Sequence, residues 1–164
     1  MNTVLTLDQL SCVRGERTLF SAVSRELRGG CLLHVVGANG AGKTSLLRML
    51  CGLLTPANGQ VRWRGQPLHR VREALGRDLV YLGHTAALKD DLSAIENLQA
   101  AQSLAGRPSA TTDLSRALYN AGLRGPVSLP VKRLSQGQRQ RVALARLSLS
   151  GSAPLWVLDE PFNT

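Results

Sequence analysis

Aromatic residues are scarce in this 164-residue chain, with two each of Phe, Tyr and Trp, so its core must rest on Leu, Val and Ala. Its three cysteines, Cys12, Cys31 and Cys51, lie far apart and form no CxxC pair. That spacing excludes a disulfide framework and a zinc site, and reduced, mostly buried thiols are expected. No apolar run approaches the length of a membrane span. The longest patches, Leu32 to Val36 (broken by His34) and Leu155 to Leu158, are strand-sized. The N-terminus has neither the basic flank nor the apolar stretch of a secretory signal, because Asp8 and Gln9 interrupt it early. A cytosolic chain is therefore expected, with any membrane association made through a partner. Acidic residues are few, 11 Asp and Glu against 20 Lys and Arg, for a formal charge of +9. Arginines are spread from Arg14 to Arg146, which fits a solvated basic surface; charge alone decides no function.

What is present is a soluble-type composition, 43% apolar and 19% charged, of a length that suits one domain. No internal repeat or low-complexity tract interrupts it. Val4 to Leu10 alternates imperfectly, as an edge strand might, and Thr18 to Leu27 reads as a second strand closed by Gly29-Gly30. Cys31 to Val36 suits a buried parallel strand. The spacing predicts a helix from Lys43 to about Cys51, stopped by Gly52 and the Thr55-Pro56 turn. Gln60 to Arg64 is a short strand, Leu68 to Leu75 a short helix, and Leu79 to Leu82 a buried strand. Helical spacing returns over Leu92 to Leu104 and Asp113 to Ala121, with Ser93 and Asp113 as N-cap candidates. A last helix, Gln136 to Leu149, precedes the strand Leu155 to Leu158. The alternation predicts an α/β fold: a mostly parallel sheet with antiparallel edge strands and a helical insertion over about 85–150.

Gly37-Ala38-Asn39-Gly40-Ala41-Gly42-Lys43-Thr44 matches G-x-x-x-x-G-K-[ST] at each fixed position, after an apolar run and before a helix. Triphosphate oxygens need several converging backbone N–H donors, and glycines let the backbone approach unobstructed. The helix N-terminus adds a dipole favourable to anions. Lys43 can reach the β- and γ-phosphates, and Thr44 offers a hydroxyl to Mg²⁺. The expected ATP contacts are therefore Gly37, Ala38, Asn39, Gly40, Ala41, Gly42, Lys43, Thr44 and Ser45, with Thr18 from the strand upstream. This motif defines a P-loop NTPase without fixing its subclass.

Leu155-Trp156-Val157-Leu158-Asp159-Glu160 is an apolar strand ending in two carboxylates, the Walker B pattern. Asp159 is expected to hold Mg²⁺, through water, since Mg²⁺ keeps much of its hydration shell. Glu160 is the expected catalytic group, orienting or deprotonating the attacking water, with Lys43 beside the phosphates. Upstream, Ser135 is a good N-cap and Gly137 leaves the helix start unobstructed, which makes a phosphate-binding surface.

Leu134-Ser135-Gln136-Gly137-Gln138 resembles the ABC signature LSGGQ, with Gln136 in place of its first glycine. The resemblance continues along Arg139 to Arg146. In ABC proteins two nucleotide domains face each other, so the resemblance implies that Ser135, Gln136, Gly137 and Gln138 address ATP held by a partner domain. Five weaker landmarks narrow the family: Glu16 to Phe20, Gly65 to Leu68, Tyr81 to His84, Leu92 to Leu98 and Leu158 to Phe162. Together they resemble the CcmA family, ATP-binding subunits of the haem exporter in bacterial-type cytochrome c biogenesis. That resemblance implies an ATPase using ATP and Mg²⁺ that sits peripherally on the cytoplasmic face of the inner membrane. It also implies a second nucleotide-binding domain and membrane subunits resembling CcmB and CcmC as partners, with no direct nucleic-acid contact.

Three departures from the general ABC pattern stand out. His84 occupies the Q-loop position, where it could ligate water near Mg²⁺, relay motion to a membrane partner, or be a solvated loop residue. Arg14 stands where an adenine-stacking aromatic is expected. The sequence also stops four residues after Glu160, before the family's D-loop and switch histidine. A C-terminally truncated chain of poor solubility and little turnover is expected on that basis. Two other readings stay open at this level: a soluble ABC ATPase acting on nucleic acid or ribosomes, and a non-catalytic nucleotide-binding fragment.

Overall fold

The computed structural model describes residues 3–84, 86–125, 127–151 and 153–161. They form two compact units that divide between Leu79 and Val80.

The first unit is built on an antiparallel sheet of order β2-β1-β3-β4: β1 (Thr3–Arg14), β2 (Arg17–Arg28), β3 (Asn58–Trp63) and β4 (Gln66–Pro67). The imperfect alternation of β1 has a structural cause. Leu5 and Leu7 are buried, and so are Leu10 and Cys12, although two residues rather than one separate Leu7 from Leu10. A register shift between Leu7 and Leu10, with Gln9 at φ 52°, inserts the extra residue that returns Leu10 to the buried face. Gly59 lies across from this bulge at φ +79°, and a Cβ there would stand 2.3 Å from the carbonyl oxygens of Asp8 and Gln9. Arg64 and Gly65, both at positive φ, turn β3 into β4 in two residues. Trp63 is buried, and its indole N–H donates to Asp78 Oδ2 at 3.3 Å.

The helix α1 (Lys43–Leu50) buries Leu46, Met49 and Leu50. A short 3₁₀ turn, Leu68–Arg70, and α2 (Arg72–Asp78) replace the single helix expected over Leu68 to Leu75, and bury Leu68 and Leu75. Cys12 and Cys51 are buried, whereas Cys31 is exposed. Burial pushes the Cys51 thiol up to about 12, so it stays a protonated core group.

The expected mostly parallel sheet is corrected at its centre. Residues 31–38 carry no ladder, Leu32 is 93% exposed and Val36 74%. An apolar run expresses a need for burial, but a strand also requires a partner with matching donors and acceptors, and none pairs here among the described residues.

The second unit joins β5 (Leu79–Leu82) and β6 (Leu155–Leu158) in a two-stranded sheet and adds α3 (Ala94–Leu104), α4 (Thr111–Asn120) and α5 (Gln136–Ser148). The helices enclose one apolar cluster that includes Leu98, Leu114, Leu118, Val131 and Val142. Ser93 caps α3 in a reciprocal box with Glu96. The N-cap of α4 is Ala110, not Asp113, which lies in the first turn, where its charge opposes the helix dipole favourably. No described helix is long and apolar enough to cross a membrane.

Two glycines test this backbone account. Gly59→Ala should lower stability by about 1–3 kcal/mol, since it meets both carbonyls and a left-handed φ. Gly76→Ala, inside α2 with open space around its Cβ, should raise stability by about 0.5–1 kcal/mol. Urea unfolding of the two variants measures both signs.

Candidate functional site

In the first unit the phosphate loop opens α1 with Gly42 as N-cap at φ +95°. Glycine is required there for two separate reasons: the left-handed φ, and a Cβ that would lie 3.0 Å from the Phe20 ring and 3.1 Å from Leu19 Cβ. Strand β2 therefore presses directly behind the loop. Thr18, an expected ATP contact from this strand, is exposed and pairs with Val13, while Leu19 and Phe20 face the loop. Phe20 is one of six aromatics in the chain; that scarcity was the available signal.

The start of α1 has no side-chain cap and no acidic residue in its first turn. Its leading N–H groups are therefore left to an outside acceptor, and an anion fits them. Inside the loop, Ala41 N–H donates to Ala38 O at 3.1 Å, and Lys43 Nζ donates to Gly37 O at 2.9 Å and Ala38 O at 3.2 Å. The ammonium thus folds over the loop and rests on neutral carbonyls, which a phosphate would replace with stronger, charge-assisted bonds. Thr44 and Ser45 lie half-buried in the same turn, and Asn39 and Gly40 are exposed. Arg14 pairs with Arg17 at the end of the β1–β2 hairpin and is likewise exposed.

In the second unit Leu155 and Val157 are buried and anchor β6. Directly after it, Asp159 N–H donates to Leu82 O at 2.8 Å, which fixes the ends of β5 and β6 level with each other. Asp159 is 3% exposed, and its Oδ2 is buried without a hydrogen-bond donor. A buried carboxylate oxygen lacking a partner costs about 1–3 kcal/mol or more, and a bound cation or its water would relieve it. The described residues contain no cluster of three or more His, Cys, Asp or Glu. A buried carboxylate without such a cluster suits Mg²⁺, which retains water, better than a metal needing a full protein cage.

Glu160 adopts φ +52°, a left-handed backbone that typically costs a non-glycine residue about 1–2 kcal/mol. Its Oε2 lies 3.5 Å from His84 Nδ1, so the Q-loop position and the second acid of the pair come together. Pro161 O accepts from Gln140 Nε2 at 2.9 Å, tying α5 to the residue after Glu160. Gln140 went unnoticed in the sequence, since a polar residue on a helix carries no mark of its partner. At the head of α5, Ser135 Oγ accepts from Gln138 N–H while the Gln138 side chain accepts from Ser135 N–H. Gln136 is exposed, and nothing lies within 4 Å of the Cβ position of Gly137. The head of this helix is therefore open, and an ion pair between Arg139 and Asp90 steadies it from the side. Phe162, which ends the last landmark, and Asn163 and Thr164 after it lie outside the described residues.

The ABC transporter family model matches residues 20–163. A cytochrome c biogenesis ATP-binding export protein, CcmA, from Dechloromonas aromatica is 51% identical over 159 residues, covering 97% of this chain and 78% of the relative. The CcmA of Escherichia coli K12 is 48% identical over 160 residues, covering 98% and 75%. The chain belongs to the CcmA family. Among solved structures, an ABC transporter ATP-binding protein from Pyrococcus furiosus superposes with a TM-score of 0.82 at 27% identity, covering 96% of this chain and 75% of that one. The CcmA-family chain thus has the ABC nucleotide-binding fold and the ABC-type ATPase activity that goes with it, with ATP and Mg²⁺ as its ligands.

The loop geometry makes a direct prediction. Gly42→Ala should weaken binding of a fluorescent ATP analogue by roughly tenfold or more. Adding Phe20→Ala should recover only part of the loss, because it removes the ring contact and leaves the Leu19 contact and the φ strain. Full recovery or no loss would contradict this account of Gly42.

Proposed function

We propose that this CcmA-family chain is the ATP-hydrolysing subunit of an ABC exporter serving haem delivery in c-type cytochrome biogenesis. The single observation that carries the reading is the close likeness to CcmA proteins along almost the whole chain. Residues 1–164 act as one nucleotide-binding domain with a helical insertion over about 85–150. The chain works at the cytoplasmic face of the inner membrane, seated on subunits resembling CcmB and CcmC and facing a second nucleotide-binding domain.

In this reading the N–H groups of Gly37 to Thr44, with Ser45, hold the phosphates, and Lys43 supplies positive charge to the β- and γ-phosphates. Thr18, at the start of β2, adds a contact to the nucleotide. Thr44 and Asp159 hold Mg²⁺, which when bound neutralises phosphate charge and polarises the terminal phosphoryl group. Glu160 accepts a proton from the water that attacks the γ-phosphorus, and ADP departs with the bridging oxygen. Ser135, Gln136, Gly137 and Gln138 address the ATP of the facing domain, where an uncovered helix N-terminus favours the γ-phosphate. His84 stands at the Q-loop position beside Glu160.

Co-expression with CcmB- and CcmC-like subunits tests the proposal. The chain should co-purify from solubilised membranes and hydrolyse ATP. Lys43→Ala should weaken ATP affinity roughly tenfold or more. Glu160→Gln should keep that affinity and lower turnover by about 10²–10⁴-fold. Turnover indifferent to both substitutions, or a chain recovered with nucleic acid and without the membrane subunits, would speak against it.

A further inference from the structure

Within the second unit, residues 89–93 lie just ahead of α3 and are fixed on one side by a buried amide. Asn97, 7% exposed, accepts from Lys89 N–H through Oδ1 at 2.7 Å. Its Nδ2 donates to the carbonyls of Lys89, Leu92 and Ser93 at 3.1, 3.2 and 3.0 Å. On its other side the same segment grips the approach to α5. Leu92 O accepts from Val131 N–H at 2.9 Å, Asp90 O accepts from Lys132 N–H at 3.1 Å, and Ser93 bridges Pro130. Two ion pairs continue the line, Asp91 with Lys132 at 2.6 Å and Asp90 with Arg139. Asp91 and Lys132 pair before the helix begins. Asp90 reaches the helix itself, since Arg139 is the fourth residue of α5.

We propose that Asp90 is a positioning residue for the signature helix: through Arg139 it sets the head of α5 so that the face carrying Gly137 meets the ATP of the facing domain. This rests on the ATPase reading above and names what aims the signature within it. Helix geometry gives the reason. Two residues along an α-helix turn about 200° around its axis, so Arg139 and Gly137 stand on opposite flanks of α5. One flank is held by Asp90, and the other is clear, with nothing within 4 Å of the Gly137 Cβ position. The capping box of Ser135 and Gln138 shapes the first turn without aiming it, because both partners belong to that turn. Packing of Val142 and Ala145 holds the middle of the helix. Aiming the head takes a contact from outside it, and residues 89–93, held by Asn97, are that support. The pair also removes a charge conflict. A lone guanidinium so near the positive end of the helix dipole is disfavoured, and Asp90 neutralises it from outside the helix.

The test uses the chain assembled with its membrane subunits. Asp90→Asn and Arg139→Gln should each lower kcat about tenfold, with ATP affinity within about twofold of the unsubstituted protein. The double variant should lose no more than either single one, because the two side chains act as a unit. Exchanging the charges supplies a rescue. Asp90→Arg and Arg139→Asp should each lower kcat at least as far, and together they should return it to within about threefold. Exposed ion pairs add little to global stability, so the melting temperature of each variant should shift by at most about 4 °C. Additive losses in the Asn/Gln pair, or failure of the exchanged pair to rescue, would each overturn the role. A readout free of turnover is hydrogen exchange over residues 134–140. It should speed up in Asp90→Asn while exchange over residues 94–104 keeps its rate; identical exchange over 134–140 would also overturn the proposal. Turnover that depends on Lys43 and falls with Gly137→Glu, yet ignores Asp90→Asn, would sink this inference alone. Indifference to Gly137→Glu would remove the signature role on which it rests. Turnover that is absent or independent of Lys43 would remove the ATPase reading with it.

Discussion

The second unit depends on how it keeps Asp159. Apolar side chains at Leu155 and Val157 draw β6 inward, and the strand delivers a carboxylate to a place where only 3% of the residue meets solvent. Its backbone N–H is used, on Leu82, but Oδ2 has no donor. Buried polar groups are almost always paired, and an exception marks strain, function or a missing ion. The strained backbone of Glu160 next door falls under the same rule, since left-handed conformations of non-glycine residues persist where surrounding structure enforces them. Two adjacent departures from the resting preferences of a polypeptide thus stand at the end of one apolar strand.

The first unit holds the opposite imbalance. The head of α1 offers N–H groups with no cap and no acid, and Lys43 has only carbonyls to rest on. One unit thus presents unanswered donors and positive charge, and the other an unanswered acceptor and negative charge. Anionic oxygens would answer the loop of the first unit, and a divalent cation would answer the carboxylate of the second. The signature helix follows a different course. Its Ser135 and Gln138 satisfy each other, so the helix start is already formed, and Gly137 leaves its surface clear. That leaves the start of the helix open to an outside anion.

Motif chemistry was the most legible part of the sequence, because it depends on order along the chain. The phosphate loop, the capped start at Ser135 and the Asp159-Glu160 pair could all be read from spacing, as could the ends of α1 and β6 to within a residue. Features that depend on a partner were not legible. The bulge at Gln9 showed only as faulty alternation, because the residue packed against it, Gly59, is fifty residues away. Residues 31–36 had the composition of a buried strand but no ladder, since composition cannot supply a neighbour. Asp113 looked like an N-cap on residue type, yet the helix begins two residues earlier, where Thr111 continues from Ala110. Phe20 behind Gly42 and His84 beside Glu160 are contacts between segments distant in the chain, and no local pattern announces them.

The central claim is that the buried oxygen of Asp159 serves the nucleotide's metal ion, and manganese in place of magnesium makes that visible. Electron paramagnetic resonance titration of Mn²⁺ into the protein with saturating ATP should show tight binding, with ³¹P couplings from the bound phosphates. Asp159→Asn should weaken the Mn²⁺ affinity by roughly tenfold or more, with the fold intact by circular dichroism. Equal Mn²⁺ affinity and unchanged couplings in the variant would contradict the account.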